Sequence, residues 1–367
     1  MRTDRTLSPR RLSSTCLALL AFSWLGVAGA DEAQPLPRFN IDVRETSVSG
    51  LSSGGFMAVQ FQIAHAAIVK GSGIVAAGPY YCAQDNVLIA TTRCSCTLDP
   101  SHSMCDIGAG STDVTELAAA TRRFAHAGWI DDPHHIAGQR TLMIAGGKDR
   151  TVPAAVVAQL RDYLATMGMP AQNMSLVTLA DAGHGMPTAT FGGSCDVTGE
   201  PYVNSCHFDA AGKLLAWIYG PLQPARSGAR QGRFIRFNQR PYVGGGPFNW
   251  TSGLDSTGWI YVPDTCSRGE ACRLHVALHG CRQGQSYSAL AWGGAYGTTF
   301  VEHAGYDAWA DTNHLVILFP QAVSTLFTNP NGCWDWWGYT GAHYADRQGV
   351  QIQAIRAMVD RLAGAAR

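Results

Sequence analysis

The sequence is poor in charged residues. Only 15% of its 367 residues are charged, and 27 basic residues balance 27 acidic ones, so the formal net charge at pH 7 is zero. Proteins that bind nucleic acid or an anionic membrane through surface charge carry an excess of basic residues. We therefore expect neither partner. With 46% apolar residues, the chain can instead bury a substantial core.

Signatures of metal sites and membrane anchors are also missing. The sequence contains no Cys-x-x-Cys pair and no His-Glu-x-x-His segment, which are common patterns of zinc sites. We expect no metal and no other cofactor. Beyond the N-terminal segment, no run approaches the roughly 18 apolar residues that a membrane-spanning helix needs.

The first thirty residues are typical of a secretory signal peptide. Basic residues precede an apolar run that begins at Cys16, and Ala28-Gly29-Ala30 offers a cleavage site of small residues. The apolar run is too short to serve as a stable anchor. We predict a signal peptide over residues 1–30 and a mature chain, 31–367, that is exported to the periplasm or the medium.

The cysteines agree with an oxidising compartment. Eleven cysteines less Cys16 of the signal leave ten, an even number. Two pairs are close enough in sequence to close short loops, Cys195 with Cys206 and Cys266 with Cys272. Four others could form two more bridges of undetermined pairing, namely Cys82, Cys94, Cys96 and Cys105.

A glycine-rich stretch, Gly50-Leu-Ser-Ser-Gly54, predicts a nucleophile elbow. Small and β-branched residues lead into it, and apolar residues at helical spacing follow it, so a strand, a tight turn and a helix are expected. The glycines two before and two after the serine leave room for a strained backbone. We predict that Ser52 is a nucleophile and that the Ser53 N–H, at a helix N-terminus, stabilises an oxyanion. Ser53 is the rival nucleophile, but it lies off the centre of the motif.

Asp149 and His184 complete a candidate triad. Each follows a predicted strand, over residues 141–145 and 174–179, and the order Ser, Asp, His is that of the α/β hydrolases. A serine hydroxyl is a weak nucleophile until a histidine takes its proton, and a carboxylate fixes the imidazole tautomer. Asp181 competes with Asp149 but is close to His184 in sequence.

The usual upstream half of an oxyanion hole is missing before Ser52. Only about twenty mature residues precede it, too few for the strands that normally carry a His-Gly loop. A strand over 274–278 leads into such a loop, His279-Gly280-Cys281, late in the chain. Edge strands at 233–237 and 259–262, a strand at 316–319 and a helix at 348–362 surround it. We therefore predict a circularly permuted α/β-hydrolase with a mostly parallel central sheet.

Two separate domains are the alternative interpretation, with the Gly-, Pro- and Arg-rich segment 221–247 as a linker. Neither half alone carries both a nucleophile and a complete oxyanion hole. We therefore expect one catalytic domain over 31–367, in which that segment joins the ends of the unpermuted order.

The residues resemble extracellular short-chain-length polyhydroxyalkanoate depolymerases of the circularly permuted type. The matching segments are the elbow Gly50–Met57, Gly147-Lys-Asp149 with Val-Pro beyond, Gly183-His184-Gly, Leu278-His-Gly-Cys281, and Asn331-Gly-Cys333-Trp334-Asp-Trp336-Trp337-Gly-Tyr339. The resemblance implies that Ser52, Asp149 and His184 are the triad. It also implies an oxyanion hole from the Ser53 and Cys281 N–H groups, and a Cys281–Cys333 disulfide beside it.

The resemblance also bears on the substrate. Depolymerases of crystalline polyester usually append a separate substrate-binding domain, and we expect none here, so soluble oligomers, amorphous polymer or a grip by surface residues are favoured. Indoles can bury apolar substrate groups. We predict that Trp336 or Trp337 contacts the polyester and that Trp334 belongs to the core.

The expected function is a secreted serine esterase, acting as a monomer on poly(3-hydroxybutyrate)-type polyester or its oligomers. Two alternatives stay open. One is a feruloyl or acetylxylan esterase, since those families share the elbow and a similar His-Gly loop. The other is a secreted polymer-binding protein on an inactive hydrolase scaffold.

Overall fold

An eight-stranded sheet carries the predicted catalytic segments. The computed structural model describes Met1 and residues 33–99, 101–108, 110–243, 252–289 and 293–364. The predicted signal peptide beyond Met1 and the end of the 221–247 segment lie outside these ranges. Within them the strands are β1 (Ile41–Leu51), β2 (Val69–Val75), β3 (Arg140–Gly146), β4 (Met174–Leu179), β5 (Met186–Thr188), β6 (Gly193–Ser194), β7 (Val203–Ser205), β8 (Arg233–Asn238), β9 (Thr257–Val262), β10 (Cys272–Leu278) and β11 (Leu315–Phe319).

The large sheet has the order β4-β3-β2-β1-β10-β11-β9-β8. Its strands pair in parallel from β4 through β11, whereas β9 runs antiparallel to both β11 and β8. The prediction of a mixed α/β fold with a mostly parallel sheet is therefore confirmed. A small second sheet of order β5-β7-β6 follows His184 in the chain.

Helices pack against the large sheet and against one another. In the described ranges they are α1 (Ser53–Ala64), α2 (Val87–Ile89), α3 (Val114–His126), α4 (Ala154–Thr166), α5 (Ala210–Tyr219), α6 (Asp264–Ser267), α7 (Thr299–His303), α8 (Tyr306–Asn313) and α9 (Val350–Leu362). None is both long and apolar enough to cross a bilayer.

Strand β1 and helix α1 form the buried centre that positions Ser52. Residues 46–51 of β1 are all buried, as expected for a parallel strand covered on both faces. Every residue of α1 is buried as well. Its two glutamines are satisfied: Gln60 donates to the Asp335 carbonyl, and Gln62 donates to Gln139. The segment around Ser52 is thus held on all sides.

Strand β2 does not coincide with the apolar run in its sequence. The run Ile74-Val-Ala-Ala-Gly78 predicts a strand over 74–78, but β2 ends at Val75, and Ala76 has a left-handed φ of 49°. The earlier half of β2 was hidden by its glycines. A Cβ on Gly71 would lie 2.3 Å from the Arg140 carbonyl oxygen, and one on Gly73 2.8 Å from Leu214 Cβ. Close packing therefore requires glycine in this strand, where its β-propensity is poor.

The two halves of the chain share one sheet. Strand β1 pairs with β10 in parallel register, with Gly50 opposite Leu278. The described residues from Ala33 onward group into one compact unit. Near the ends of the described chain, the Phe39 N–H donates to the Leu362 carbonyl at 2.8 Å. The start of β1 and the end of α9 are therefore neighbours.

Candidate active site

Ser52 lies at the turn between β1 and α1 in a strained conformation. Its φ and ψ are 56° and −123°, which a residue with a side chain rarely adopts. The Ser52 N–H donates to the Val75 carbonyl at 2.9 Å, and the Ser52 carbonyl accepts from the Phe56 N–H at 2.9 Å. These two bonds hold the turn in its strained form. The strain has the form expected of a nucleophile elbow.

The glycines on either side of Ser52 are required by close backbone contacts. A Cβ on Gly50 would lie 2.2 Å from the Gly54 carbonyl oxygen. One on Gly54 would lie 2.3 Å from the His279 carbonyl oxygen. Both separations are well inside van der Waals contact, so any larger residue would push the serine or the His279 loop away.

Asp149 and His184 form a buried pair. The Asp149 Oδ2 atom is 2.7 Å from His184 Nδ1, and their side chains are 1% and 7% exposed. Asp149 Oδ1 accepts from the Thr151 and Val152 N–H groups, both at 2.8 Å. With its carboxylate fixed in this way, Asp149 favours the His184 tautomer that carries its proton on Nδ1. The other ring nitrogen, Nε2, is then free to accept a proton.

One cavity of about 600 Å³ brings the predicted site residues together. Ser52 is 9% exposed, so it opens only into this space. The lining includes Ser52, His184, Cys281, Phe56, Trp336 and Trp337. Asp149 lies behind His184. Within the described ranges, no group of three or more His, Cys, Asp or Glu side chains is placed to hold a metal ion.

The turn after β10 lies directly against Ser52. A Cβ on Gly280 would lie 3.4 Å from Ser52 Cβ. The Gly280 carbonyl accepts from the Gln283 N–H at 3.3 Å and from His279 Nδ1 at 2.7 Å. Among the described residues, no acceptor takes the N–H of Ser53 or of Cys281. Both N–H groups are therefore available to a ligand.

His279 holds this turn as a neutral side chain. Its Nδ1–H donates to the Gly280 carbonyl, and its Nε2 accepts from the Ala322 N–H at 3.1 Å. Burial lowers the pKa of His279 to about 4. Protonation of Nε2 would remove the acceptor for Ala322, so the neutral form is the one compatible with the turn.

The two competing assignments find other partners. Ser53 is buried, and its Oγ accepts from the Trp334 N–H at 3.3 Å. Asp181 forms an exposed ion pair with Lys148 at 3.0 Å. Neither side chain lines the cavity.

The three tryptophans differ in their surroundings. Trp334 is fully buried, whereas Trp336 stacks on Phe56 with ring centroids 4.2 Å apart. Trp337 packs edge-on against Trp336. Asp335 organises this segment because its carboxylate accepts from the backbone N–H groups of 337–340. Burial raises the Asp335 pKa, and these donors oppose that effect.

Five disulfides are present in the described chain. One joins Cys281 to Cys333 and thereby links the turn beside Ser52 to residues 334–337, which hold Trp334, Trp336 and Trp337 and are called the tryptophan segment below. Two close the short loops expected from sequence, Cys195–Cys206 and Cys266–Cys272. The pairings that the sequence left open are Cys82–Cys94 and Cys96–Cys105.

Several supporting residues were missed by sequence reasoning. Thr198 Oγ1 accepts from the His184 N–H at 2.9 Å, and Gln283 bonds to the turn and to the loop after His184. Thr198 lies 14 positions from its partner and has no motif of its own. Gln283 adjoins the His-Gly-Cys motif, and that position was the only available signal.

A serine at a strained strand–helix turn, beside a buried Asp–His pair on a mostly parallel sheet, is the arrangement of an ester hydrolase of the α/β class. The comparisons with known proteins narrow this class. A poly(3-hydroxybutyrate) depolymerase from Delftia acidovorans is 38% identical over 347 residues, which cover 93% of this chain and 64% of the relative. A polyhydroxybutyrate depolymerase from Talaromyces funiculosus is 36% identical over 93% of this chain and 96% of the relative. The chain belongs to the polyhydroxybutyrate depolymerase family.

Solved structures agree with this assignment. A PHB depolymerase complexed with an R3HB trimer superposes with a TM-score of 0.79 at 34% identity, covering 90% of this chain and 99% of the other. The crystal structure of PHB depolymerase from Penicillium funiculosum gives a TM-score of 0.78 with the same identity and coverage. No protein-family model matches the chain.

Proposed function

We propose that this protein hydrolyses poly(3-hydroxybutyrate)-type polyester or its oligomers through Ser52, His184 and Asp149. The observation that carries the proposal is the cavity that is lined both by the strained Ser52 and by His184, whose Nδ1 is hydrogen-bonded to Asp149. The relatives are depolymerases of this polyester, and the solved complex holds a trimer of R3HB. The chain spans 64% of the length of the Delftia relative, and the site itself carries the proposal.

The chemistry follows from the geometry of the Asp149–His184 pair. His184 Nε2 takes the proton of Ser52 as its Oγ attacks the ester carbonyl of the substrate. The same proton then passes to the departing alkoxide oxygen, which leaves as an alcohol, and an acyl-enzyme remains on Ser52. Water then attacks this ester as His184 Nε2 takes its proton; the bond between the acyl carbon and Ser52 Oγ breaks, Oγ receives that proton from His184, and the hydroxy acid is released. Asp149 stabilises the imidazolium in both steps.

The tetrahedral oxyanion of each step needs donors close to Ser52. The available N–H groups of Ser53 and Cys281 supply them, since one begins α1 and the other lies in the turn against Ser52. Losing one such donor typically costs about 10²–10³ in turnover.

The apolar surface of the cavity favours an aliphatic polyester as substrate over an ester of a polar compound. Trp336 and Trp337 line the cavity together with Phe56 and Leu51, and they can cover the methyl and methylene groups of the chain. Two exposed side chains follow β11 next to the cavity residue Thr328: Leu326 and Phe327 are 81% and 90% exposed. Such residues provide a contact for amorphous or solid polymer.

The test compares polymer clearing with release of other acids. Purified protein is added to a suspension of poly(3-hydroxybutyrate), to a feruloylated saccharide and to acetylated xylan. The proposal predicts clearing and soluble hydroxybutyrate oligomers with the first substrate. Ferulate or acetate release without clearing would favour the other esterases, and failure of an organophosphonate to label Ser52 would favour a binding protein without catalysis.

We further propose that the fold is one circularly permuted domain. A chain read from β8 to β11 and then from β1 to β4 crosses the sheet from edge to edge, with only β10 and β11 exchanged relative to simple sequence. The Phe39–Leu362 contact supports the proposal, because it joins the two ends that the unpermuted order connects. A variant with new termini in segment 221–247 and a short linker from α9 to β1 should fold and retain activity. Loss of folding would contradict the proposal.

We also propose that the protein is secreted as a monomer. The five disulfides support an oxidising destination. N-terminal sequencing of exported protein should begin near Asp31, and light scattering should give the mass of one chain. An intracellular location or a larger mass would contradict the respective part of the proposal.

A further inference from the structure

Gln283 is a buried glutamine whose side chain connects two loops of the active site. It is 1% exposed. Its Oε1 accepts from the Gly280 N–H at 2.7 Å, and its Nε2 donates to the carbonyls of Pro201 and Tyr202 at 3.1 and 3.0 Å. Every polar atom of this amide is therefore engaged with backbone, and two distant chain segments are joined through it.

On one side, Gln283 determines the shape of the turn that carries the Cys281 N–H. The turn runs from Gly280 to Gln283, closed by the bond from the Gln283 N–H to the Gly280 carbonyl. Arg282, its third residue, has a left-handed φ of 65°, which costs free energy for a residue with a side chain. The bond from Gly280 N–H to Oε1 adds a second closure across the same four residues. The orientation of the Cys281 N–H is thus fixed by the side chain of Gln283 as well as by the backbone.

On the other side, Gln283 contacts the loop that supports His184. Tyr202 accepts a second bond, from the Met186 N–H at 2.8 Å, two residues after His184. Thr198, in the same loop, accepts from the His184 N–H. Tyr296 adds a contact on the Gln283 side, since its hydroxyl donates to the Pro201 carbonyl at 2.8 Å. A shift of this loop would therefore move the general base.

Only a glutamine satisfies these partners at this distance. One end must accept from an N–H while the other donates two bonds to carbonyls, and only amide side chains offer both. Glutamate would keep the acceptor for Gly280 but place a carboxylate against the two carbonyls. Leucine would leave the buried Gly280 N–H and both carbonyls without this partner.

We propose that Gln283 is a positioning residue that sets the distance between the oxyanion-hole donor of Cys281 and the base His184. This inference rests on the proposed function. Gln283 acts through backbone groups on either side and takes no part in proton transfer. It matters in the transition state, where the oxyanion and the imidazolium exist together, and it matters little for binding of the ground-state ester.

The test compares Gln283→Leu and Gln283→Glu with a matched control, Gln285→Leu. Gln285 makes a similar set of bonds, donating to Thr257 and accepting from Trp259 Nε1 at 2.7 Å, but it does not line the cavity. Kinetics are measured on a soluble butyrate ester, together with urea unfolding and the rate of inactivation by an organophosphonate.

Both Gln283 variants should lose kcat by on the order of 10², the cost of a misplacement near 1 Å, with little change in KM. Their inactivation by the phosphonate should slow in parallel, because that reaction passes through the same geometry. Gln285→Leu should lose stability comparably but keep kcat and the inactivation rate.

Each outcome either supports or overturns the positioning role of Gln283. A wild-type kcat in folded Gln283→Leu, or an equal loss in Gln285→Leu, would overturn the positioning role while leaving the proposed function intact. If Gln283→Leu does not fold, Gln283→Glu is decisive alone, since it keeps the shape of the side chain. A wild type that hydrolyses no ester and resists the phosphonate would overturn the proposed function and this inference with it.

Discussion

Removal of the Cys281–Cys333 disulfide should lower catalytic activity more than removal of any other disulfide in the described chain. Cys281 belongs to the turn against Ser52, and Cys333 precedes the tryptophan segment. In the double variant C281A/C333A the turn loses its covalent link to that segment. We expect kcat on a soluble butyrate ester to fall by about 10²–10³, the typical cost of losing one oxyanion donor.

The expected loss of stability follows from the length of chain that the bridge closes. The sequence separation is 52 residues, for which loop-closure entropy predicts about 4 kcal/mol at 25 °C. Cys266–Cys272 is the matched control, with a separation of 6 residues and an expected loss of about 2 kcal/mol. Cys272 begins β10, and the site lies past the other end of that strand.

The assay measures kcat and urea unfolding on both double variants and on mildly reduced wild type. C266A/C272A should keep its kcat, and reduction of the wild type should lower activity before the chain unfolds. A C281A/C333A variant that loses stability but keeps kcat would refute the role of this bridge in the oxyanion turn. Non-reducing peptide mapping that finds Cys281 free would refute it as well.

Three other perturbations test the site and its support. Ser52→Ala should lower kcat by about 10⁶ without unfolding the protein, whereas Ser53→Ala should keep the nucleophile; transfer of the large effect to Ser53 would contradict the assignment. Trp337→Ala should raise KM for hydroxybutyrate oligomers more than it lowers kcat, and an unchanged KM would remove this residue from the substrate site. Below pH 6.5 the unfolded chain binds protons that the folded chain excludes, because burial lowers the pKa of three histidines to about 3, 3 and 4. As the pH is lowered from 6.5 to 4, the free energy of unfolding should therefore fall by about 1.4 kcal/mol per pH unit for each of these histidines, which are His65, His275 and His279. Urea midpoints that stay constant over this range would contradict their burial as neutral groups.

Local patterns in the sequence were sufficient to predict those parts of the fold that depend on steric contacts between residues close in sequence. The elbow could be predicted because Gly50 lies against the Gly54 carbonyl within the same turn. The strand predicted over residues 174–179 coincides with β4.

Features that depend on distant contacts were not predictable in the same way. The glycines of β2 make sense only once their distant neighbours are in place, the Arg140 carbonyl of β3 against Gly71 and Leu214 of α5 against Gly73. The small sheet after His184 consists of strands of two or three residues, too short for a periodic pattern. The pairings Cys82–Cys94 and Cys96–Cys105 depend on the path of an irregular segment. Gln283 has four partners from three segments, and no local pattern could assign them.

The most direct test of the central claim is mass spectrometry of the enzyme quenched during turnover of a 3-hydroxybutyrate trimer. The proposed mechanism predicts a peptide that carries one or more hydroxybutyryl units esterified to Ser52, formed and lost at rates consistent with turnover. Accumulation of product without any acylated Ser52, or an acyl group found on Ser53, would contradict it.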